Sequence, residues 1–292
     1  PVTTEAVAER RDLFADPRRH LRRGHDEAHG EPRPDEVGLG AHGAVYEYRG
    51  AESHLWCMTQ EGLGNKNWIA EWMYQHAGTG RTYYEGIGID TALMAANDVI
   101  CQGALPVIYT DEVAAGDSEW FEDEKRSRDL AESFYRACEM CGMALPAGES
   151  PALRYLVKAE PPVRSAPSLS GCVAGIVAPP DRMITGEKIA AGDRVIGAPS
   201  SGLHANGISL VIKRTLALKD KFLHVLPNGK TLGEEALIPT RSYVRLVEEL
   251  QDKGVKFTIS TKRMVTSFSV GERIAPSSSL SPLMMRSTIS GE

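Results

Sequence analysis

Nowhere in these 292 residues does an apolar run approach the roughly 20 residues needed to cross a bilayer. The arginines near the start (Arg10, Arg11, Arg18, Arg19, Arg22, Arg23) lie among acids with no apolar signal core beside them, so the expected location is the cytoplasm. Cysteine is scarce, five in all and an odd number, which excludes a disulfide framework and fits a reducing compartment. Basic charge is not in surplus either: 33 Lys and Arg stand against 39 Asp and Glu, a net charge of −6. Nothing is left over to neutralise a nucleic-acid backbone, although a small anionic substrate carried with a metal ion stays compatible. Also missing are a GxxxxGK[ST] phosphate loop, a GxGxxG turn opening a helix after a strand, and any internal repeat.

With 42% hydrophobic and 25% charged residues, the chain has the composition of a globular protein of one large domain or two. Residues 1–40 are charged and rich in Gly, Pro and His, and read as a mobile arm. Leu55 to Met58 reads as a strand entering the turn Thr59 to Lys66, which holds Gly62 and Gly64. From Asp90, the spacing of Leu93, Ala96 and Ile100 predicts a helix that carries the polar pair Asn97 and Asp98 inside it. Pro106 to Thr110 reads as a strand, and Leu130, Phe134, Cys138 and Cys141 as one helix face. Core packing explains that lone CxxC better than a metal, because no second Cys or His pair accompanies it. Residues 145–169 read as a loop, Cys172 to Val177 as a buried strand, Gly192 to Gly197 as turn then strand, and Gly207 to Leu218 and Tyr243 to Leu250 as helices. A boundary near residue 180 divides the chain. Strand, loop and helix alternate, giving an α/β or α+β class. Ser260 to Glu292 is Ser-rich and shows neither helical nor strand periodicity, so it reads as unfolded or foreign to the rest.

Three places have residues suited to chemistry. The turn Glu61 to Lys66 can offer backbone N–H groups and an ammonium to a polyphosphate, against the alternative of an ordinary turn. Glu61, Asp90, Asp98 and Asp111, at or near the ends of apolar runs, are hard-ligand candidates for Mg2+; each taken singly is better explained as a cap or surface charge. Ser200 to Gly207 is the densest polar and glycine cluster, with His204 and Asn206 able to hydrogen-bond a substrate, or else to build a turn and cap.

Gly86-Ile87-Gly88-Ile89-Asp90, Asn97-Asp98, Gly103 to Pro106, Ala147 to Ser150, Gly192-Asp193, Ser200 to Leu210 and Pro239 to Val244 together resemble, in order, the aminoimidazole ribonucleotide synthetase (phosphoribosylformylglycinamidine cyclo-ligase) family. The resemblance covers roughly residues 55–258. It implies a two-lobed α/β fold whose N-terminal sheet pairs with that of a second subunit in a homodimer. It implies ATP and Mg2+ as cofactors and a small phosphorylated ribonucleotide as substrate, with no nucleic acid and no membrane. The family reaction closes the ring of formylglycinamidine ribonucleotide at the expense of ATP. Carried over by position, Glu61, Gly62, Gly64, Asn65, Lys66, Asn97 and Glu149 would surround the nucleotide, with Lys66 offsetting phosphate charge. Asp90, Asp98 and Glu61 would hold or organise the metal; His204, Asn206 and Asp98 would be catalytic. The implied layout is an N-terminal ATP-binding and dimerisation lobe over 41–180, an incomplete second lobe over 181–259, and a non-family tail over 260–292.

The chain departs from the family at Glu61 and Asn65, where Asp and Thr are usual, and at Ser168, where an acid is usual. A glycine-rich segment expected after Phe257 is absent, as in a chain truncated or read out of frame. Two other readings compete: a non-catalytic nucleotide-binding homologue, and an enzyme of the same superfamily with another acceptor, such as a selenophosphate synthetase or thiamine monophosphate kinase relative.

Overall fold

The computed structural model describes residues 54–184, 190–255, 257–260 and 283–287. The arm over residues 1–40 lies outside them. The chain runs β1 (Leu55–Gly62), α1 (Lys66–His76), α2 (Ile87–Val99), β2 (Leu105–Ala114), α3 (Glu124–Cys141), β3 (Ala144–Glu149), β4 (Ser168–Val177), β5 (Arg194–Ala198), α4 (Ile208–Leu216), α5 (Leu232–Ala236), α6 (Val244–Asp252), β6 (Phe257–Ser260) and β7 (Leu283–Ser287). The mixed α/β class read from the sequence is the class observed.

A four-stranded sheet has the order β1-β4-β2-β3, with β4 antiparallel to both neighbours and β2 parallel to β3. Its strands have two unlike faces, as the period of two requires. On β4, Leu169, Val173 and Val177 are buried on the face against which α2 packs. On the opposite face Trp56 and Met58 are 47% and 69% exposed, and register sets them beside Ile176 and Ala174. α2 in turn packs on α3, whose backbone lies close against Gly88. A Cβ there would lie 2.5 Å from the backbone nitrogen of Phe134, so only glycine permits this crossing. Ser133 accepts the Ile89 N–H across the same contact at 3.0 Å. Cys138 and Cys141 are buried on the inner face of α3, as their spacing predicts.

α1 is the centre of the molecule. Every residue from Lys66 to Met73 is buried, which a helix achieves only when covered on all sides. Trp68 and Trp72 both stack near Phe222, with ring centres 6.2 and 5.2 Å away, and Gly233 of α5 lies against Met73. The buried residues Lys66, Asn67 and Glu71 of α1 each have hydrogen-bond partners. Glu71 accepts from Tyr84 Oη and Trp120 Nε1, each at 2.8 Å, and pairs with Arg126.

Three sequence expectations are corrected. Residues 145–149, read as part of a loop over 145–169, lie in β3, where parallel pairing with β2 holds them extended despite Pro146 and Gly148, and Ser168 and Leu169 already belong to β4. β1 continues through Glu61 and Gly62, so the supposed turn from Thr59 shrinks to Leu63–Asn65; pairing of Glu61 with Gly171 and Gly62 with Ser170 on β4 holds these residues extended. Within the Ser-rich tail, Leu283–Ser287 is a strand and not unfolded chain. It lies between β5 and β6 in an antiparallel three-stranded sheet. Backbone pairing on both sides creates that strand without the alternation a half-buried strand would show.

Candidate functional site

Gly62 of β1, Ser170 of β4, Glu112 of β2 and Glu149 of β3 stand in one register row across the end of the sheet. Ser170 Oγ donates to Glu112 at 3.1 Å. Glu149, exposed at the end of β3, is therefore roughly 14 Å from Gly62, three strand spacings of about 4.8 Å. Glu61, next to Gly62, is half-buried on the face covered by α2, and Asp98 of that helix meets it there. The two carboxyl groups are in hydrogen-bonding contact. Burial, then the charge of Glu61 and that hydrogen bond, raise the Asp98 carboxyl to about 6. Facing Glu61 thus costs the ionised Asp98 stability, in addition to its poor helix propensity.

The other expected metal carboxylate lies elsewhere. Asp90 is fully buried on α2 and accepts from Lys66 Nζ through Oδ1 at 2.9 Å, while Oδ2 lies 2.9 Å from the same ammonium without a hydrogen bond of its own. Thr240 donates to it through N at 2.8 Å and through Oγ1 at 2.5 Å. Lys66 also donates to the carbonyls of Leu203, at 3.0 Å, and Ile238, at 2.7 Å. Burial draws the ammonium down and the carboxyl up from their ordinary values, and each charge offsets part of the other's cost. Asn97, in the last turn of α2, clamps the same distant segment, donating to Arg241 O and accepting from Tyr243 N, both at 3.1 Å. The polar residues that a helix interior disfavours are those that bind Pro239 to Val244 to α2. Asp111 is separate again, its carboxylate over Gly148 on the neighbouring strand.

His204 lies in the loop held by Lys66. Its Nε2 is 3.0 Å from Ser200 Oγ and 3.4 Å from Ser201 Oγ, and Ser201 donates onward to Pro239 O at 2.7 Å. Burial first, then the nearby positive charges of Lys66 and Arg241, lower its pKa to about 4, so the ring is neutral near pH 7. Asn206 is exposed in the turn ahead of α4. Gly64, at φ +76°, makes the turn after β1, and Asn65 beside it donates to Ser209 Oγ of α4 at 2.8 Å. Gly64, Asn65, Trp68, Ser168, Ser209 and Lys213 contribute to a cavity of about 560 Å3 between α4 and the chain entering β4.

The structure therefore joins Glu61 with Asp98, and Lys66 with Asp90, and sets Glu149 apart from both pairs. Ser201, Ser209 and Thr240 are contacts for which sequence reasoning had no role. Thr240 stood in the quoted Pro239 to Val244 motif, the one signal available for it. Among the described residues there is no cluster of three or more Asp, Glu, His or Cys arranged to hold a metal.

Residues 40–177 match the family model described as AIR synthase related protein, N-terminal domain. The phosphoribosylformylglycinamidine cyclo-ligase of Caldanaerobacter subterraneus subsp. tengcongensis is 35% identical over 222 residues, 75% of this chain and 60% of that protein. Over residues 40–177 the chain is similar to the AIR synthase related family. The cyclo-ligase of Thermococcus kodakarensis is 34% identical over 221 residues, 76% of this chain and 58% of that one. The chain thus spans about three fifths of the length of these curated relatives. A solved thiamine-monophosphate kinase from Stenotrophomonas maltophilia K279a aligns with TM-score 0.45 at 17% identity, over 80% of this chain and 63% of that one, too loosely to support an argument. No helix among the described residues is long and apolar enough to cross a membrane.

Proposed function

We propose that this chain catalyses the ATP-dependent ring closure of formylglycinamidine ribonucleotide to aminoimidazole ribonucleotide in the cytoplasm. The observation that carries the reading is its one-third identity to cyclo-ligases across three quarters of the chain. In the proposed reaction the γ-phosphoryl group of ATP passes to the formyl amide oxygen, and the internal nitrogen attacks that carbon. Phosphate leaves with the oxygen, yielding the imidazole, ADP and phosphate. Alignment and charge neutralisation dominate such a reaction.

Glu61 and Asp98 fit Mg2+, which takes one or two carboxylates and fills its shell with water and phosphate oxygens. Bound there, the ion would neutralise triphosphate charge. Gly62 at the end of β1 and the turn Leu63 to Asn65 present backbone near the nucleotide, with Asn97 and Glu149 as further members of its surroundings. His204, neutral and steadied by two serines, orients the substrate amide by hydrogen bonding, with Asn206 in the exposed turn beside it. The exposed apolar face of β1, with Trp56 and Met58, is the proposed homodimer contact.

The test is formation of aminoimidazole ribonucleotide by the purified chain given formylglycinamidine ribonucleotide, ATP and Mg2+, with Asp98→Ala as control. Product that disappears in the variant supports the proposal. A folded chain that binds nucleotide and makes no product refutes it in favour of a non-catalytic homologue.

A further inference from the structure

Lys66 is the one residue of the glycine turn whose charge suits a polyphosphate, and its ammonium is 0% exposed. It has both oxygens of Asp90 on one side and two backbone carbonyls on the other. An ammonium has three protons, and these acceptors use them all. A phosphate would have to displace a carboxylate at 2.9 Å from a site closed to solvent. The two carbonyls belong to separate segments, Leu203 adjoining His204 and Ile238 adjoining Pro239. Thr240, two residues beyond Ile238, donates to Asp90, and Ser201 ties the two segments together through Pro239 O. A single buried ion pair between α1 and α2 therefore fixes both chains that frame His204.

We propose that Lys66, with Asp90, is a positioning residue that sets the location of the His204 loop, and that it does not contact the nucleotide phosphates. This rests on the reading of His204 as a substrate-facing group. Its consequence is a division of labour in the turn: Gly62 to Asn65 approach the ligand while Lys66, one residue on, points inward and holds the opposite wall.

The test pairs Lys66→Met/Asp90→Asn with Lys66→Gln/Asp90→Asn. Neither leaves an uncompensated buried charge, and Asn at position 90 still accepts from Thr240. The Met version cannot donate to Leu203 and Ile238, whereas the Gln version can. The expected result for the Met variant is affinity for a non-hydrolysable ATP analogue within about threefold of the parent, and kcat lower by about tenfold or more with nucleotide KM little changed. Its His204 ring resonances should shift or broaden. The Gln variant, a neutral donor, should recover part of kcat and the His204 signal. Nucleotide affinity falling about thirtyfold or more in both variants, the loss of a charge-assisted phosphate contact, would overturn the proposal.

Lysine side-chain NMR of the unsubstituted chain decides the matter even where a variant does not fold. Saturation with Mg2+ and the analogue should leave the Lys66 resonance in place; a large shift overturns the proposal. A parent chain that binds no nucleotide refutes the proposed function instead. His204 resonances identical in parent and Met variant would then refute the positioning role separately.

Discussion

Asp98 meets the charge of Glu61 while partly withdrawn from water, and its carboxyl is raised to about 6 as a result, burial being the larger cause. The folded chain accordingly holds this proton more tightly than the unfolded chain does. The sign is the reverse of an ordinary paired carboxylate: stability from this group is present at low pH and is lost as pH rises from about 4 to about 6. Asp98→Asn should therefore raise the metal-free melting temperature at about pH 8 and have little effect below about pH 4, a difference that thermal unfolding across pH measures. Mg2+ affinity of the parent should weaken as pH falls through about 6, because proton and metal compete for the same oxygens. A variant no more stable than the parent at the higher pH would show that Glu61 and Asp98 do not oppose each other. The sequence made these residues legible as chemistry but not as pairs. Asp90 and Asp98 are eight apart on one helix, and only the approach of Lys66 to one and Glu61 to the other separates an internal ion pair from an open carboxyl pair.

Among the elements, α2 bears the most constraints. Its outward residues bind the Pro239 to Val244 segment, its end meets β1, and Gly88 meets the backbone of α3. Alanine is favoured over glycine by about 1 kcal/mol in a free helix, yet a Cβ at position 88 would fall 2.5 Å from Phe134 N and 2.9 Å from Leu130 O. Backbone cannot rotate aside as a side chain can. Gly88→Ala should thus destabilise the fold by about 1–3 kcal/mol, read as a lower urea midpoint; an unchanged or higher midpoint would mean the two helices separate freely. Elements with a clear apolar period, such as β4, α3 and α6, were readable from the sequence. The strand character of Glu61 and Gly62 was not, since glycine and a charge signal a turn locally and only pairing with β4 overrides them. The strand Leu283–Ser287 was invisible for a related reason: its neighbours are about 25 to 90 residues away in the chain.

For the whole molecule, one face of the four-stranded sheet has no helix packed on it among the described residues. Trp56 and Met58 on that face are flanked by Ile176 and Ala174, a contiguous apolar surface of the kind that marks an interface. Met58→Glu should convert a dimer to a folded monomer, with sedimentation velocity as the measurement; a parent chain that sediments as a monomer at the same concentration would remove the dimer proposal. The mixed α/β class and the similarity to the cyclo-ligases could be read from composition, alternation and motif order. The central position of α1 could not, because Lys66, Asn67 and Glu71 look like surface residues until their partners from other segments are seen. The most direct measurement of the central claim is the stoichiometry of phosphate release from ATP with and without formylglycinamidine ribonucleotide. Ring closure by this chain predicts release that requires this substrate and equals the aminoimidazole ribonucleotide formed. Release that ignores the substrate, or none from a folded nucleotide-bound chain, would contradict it.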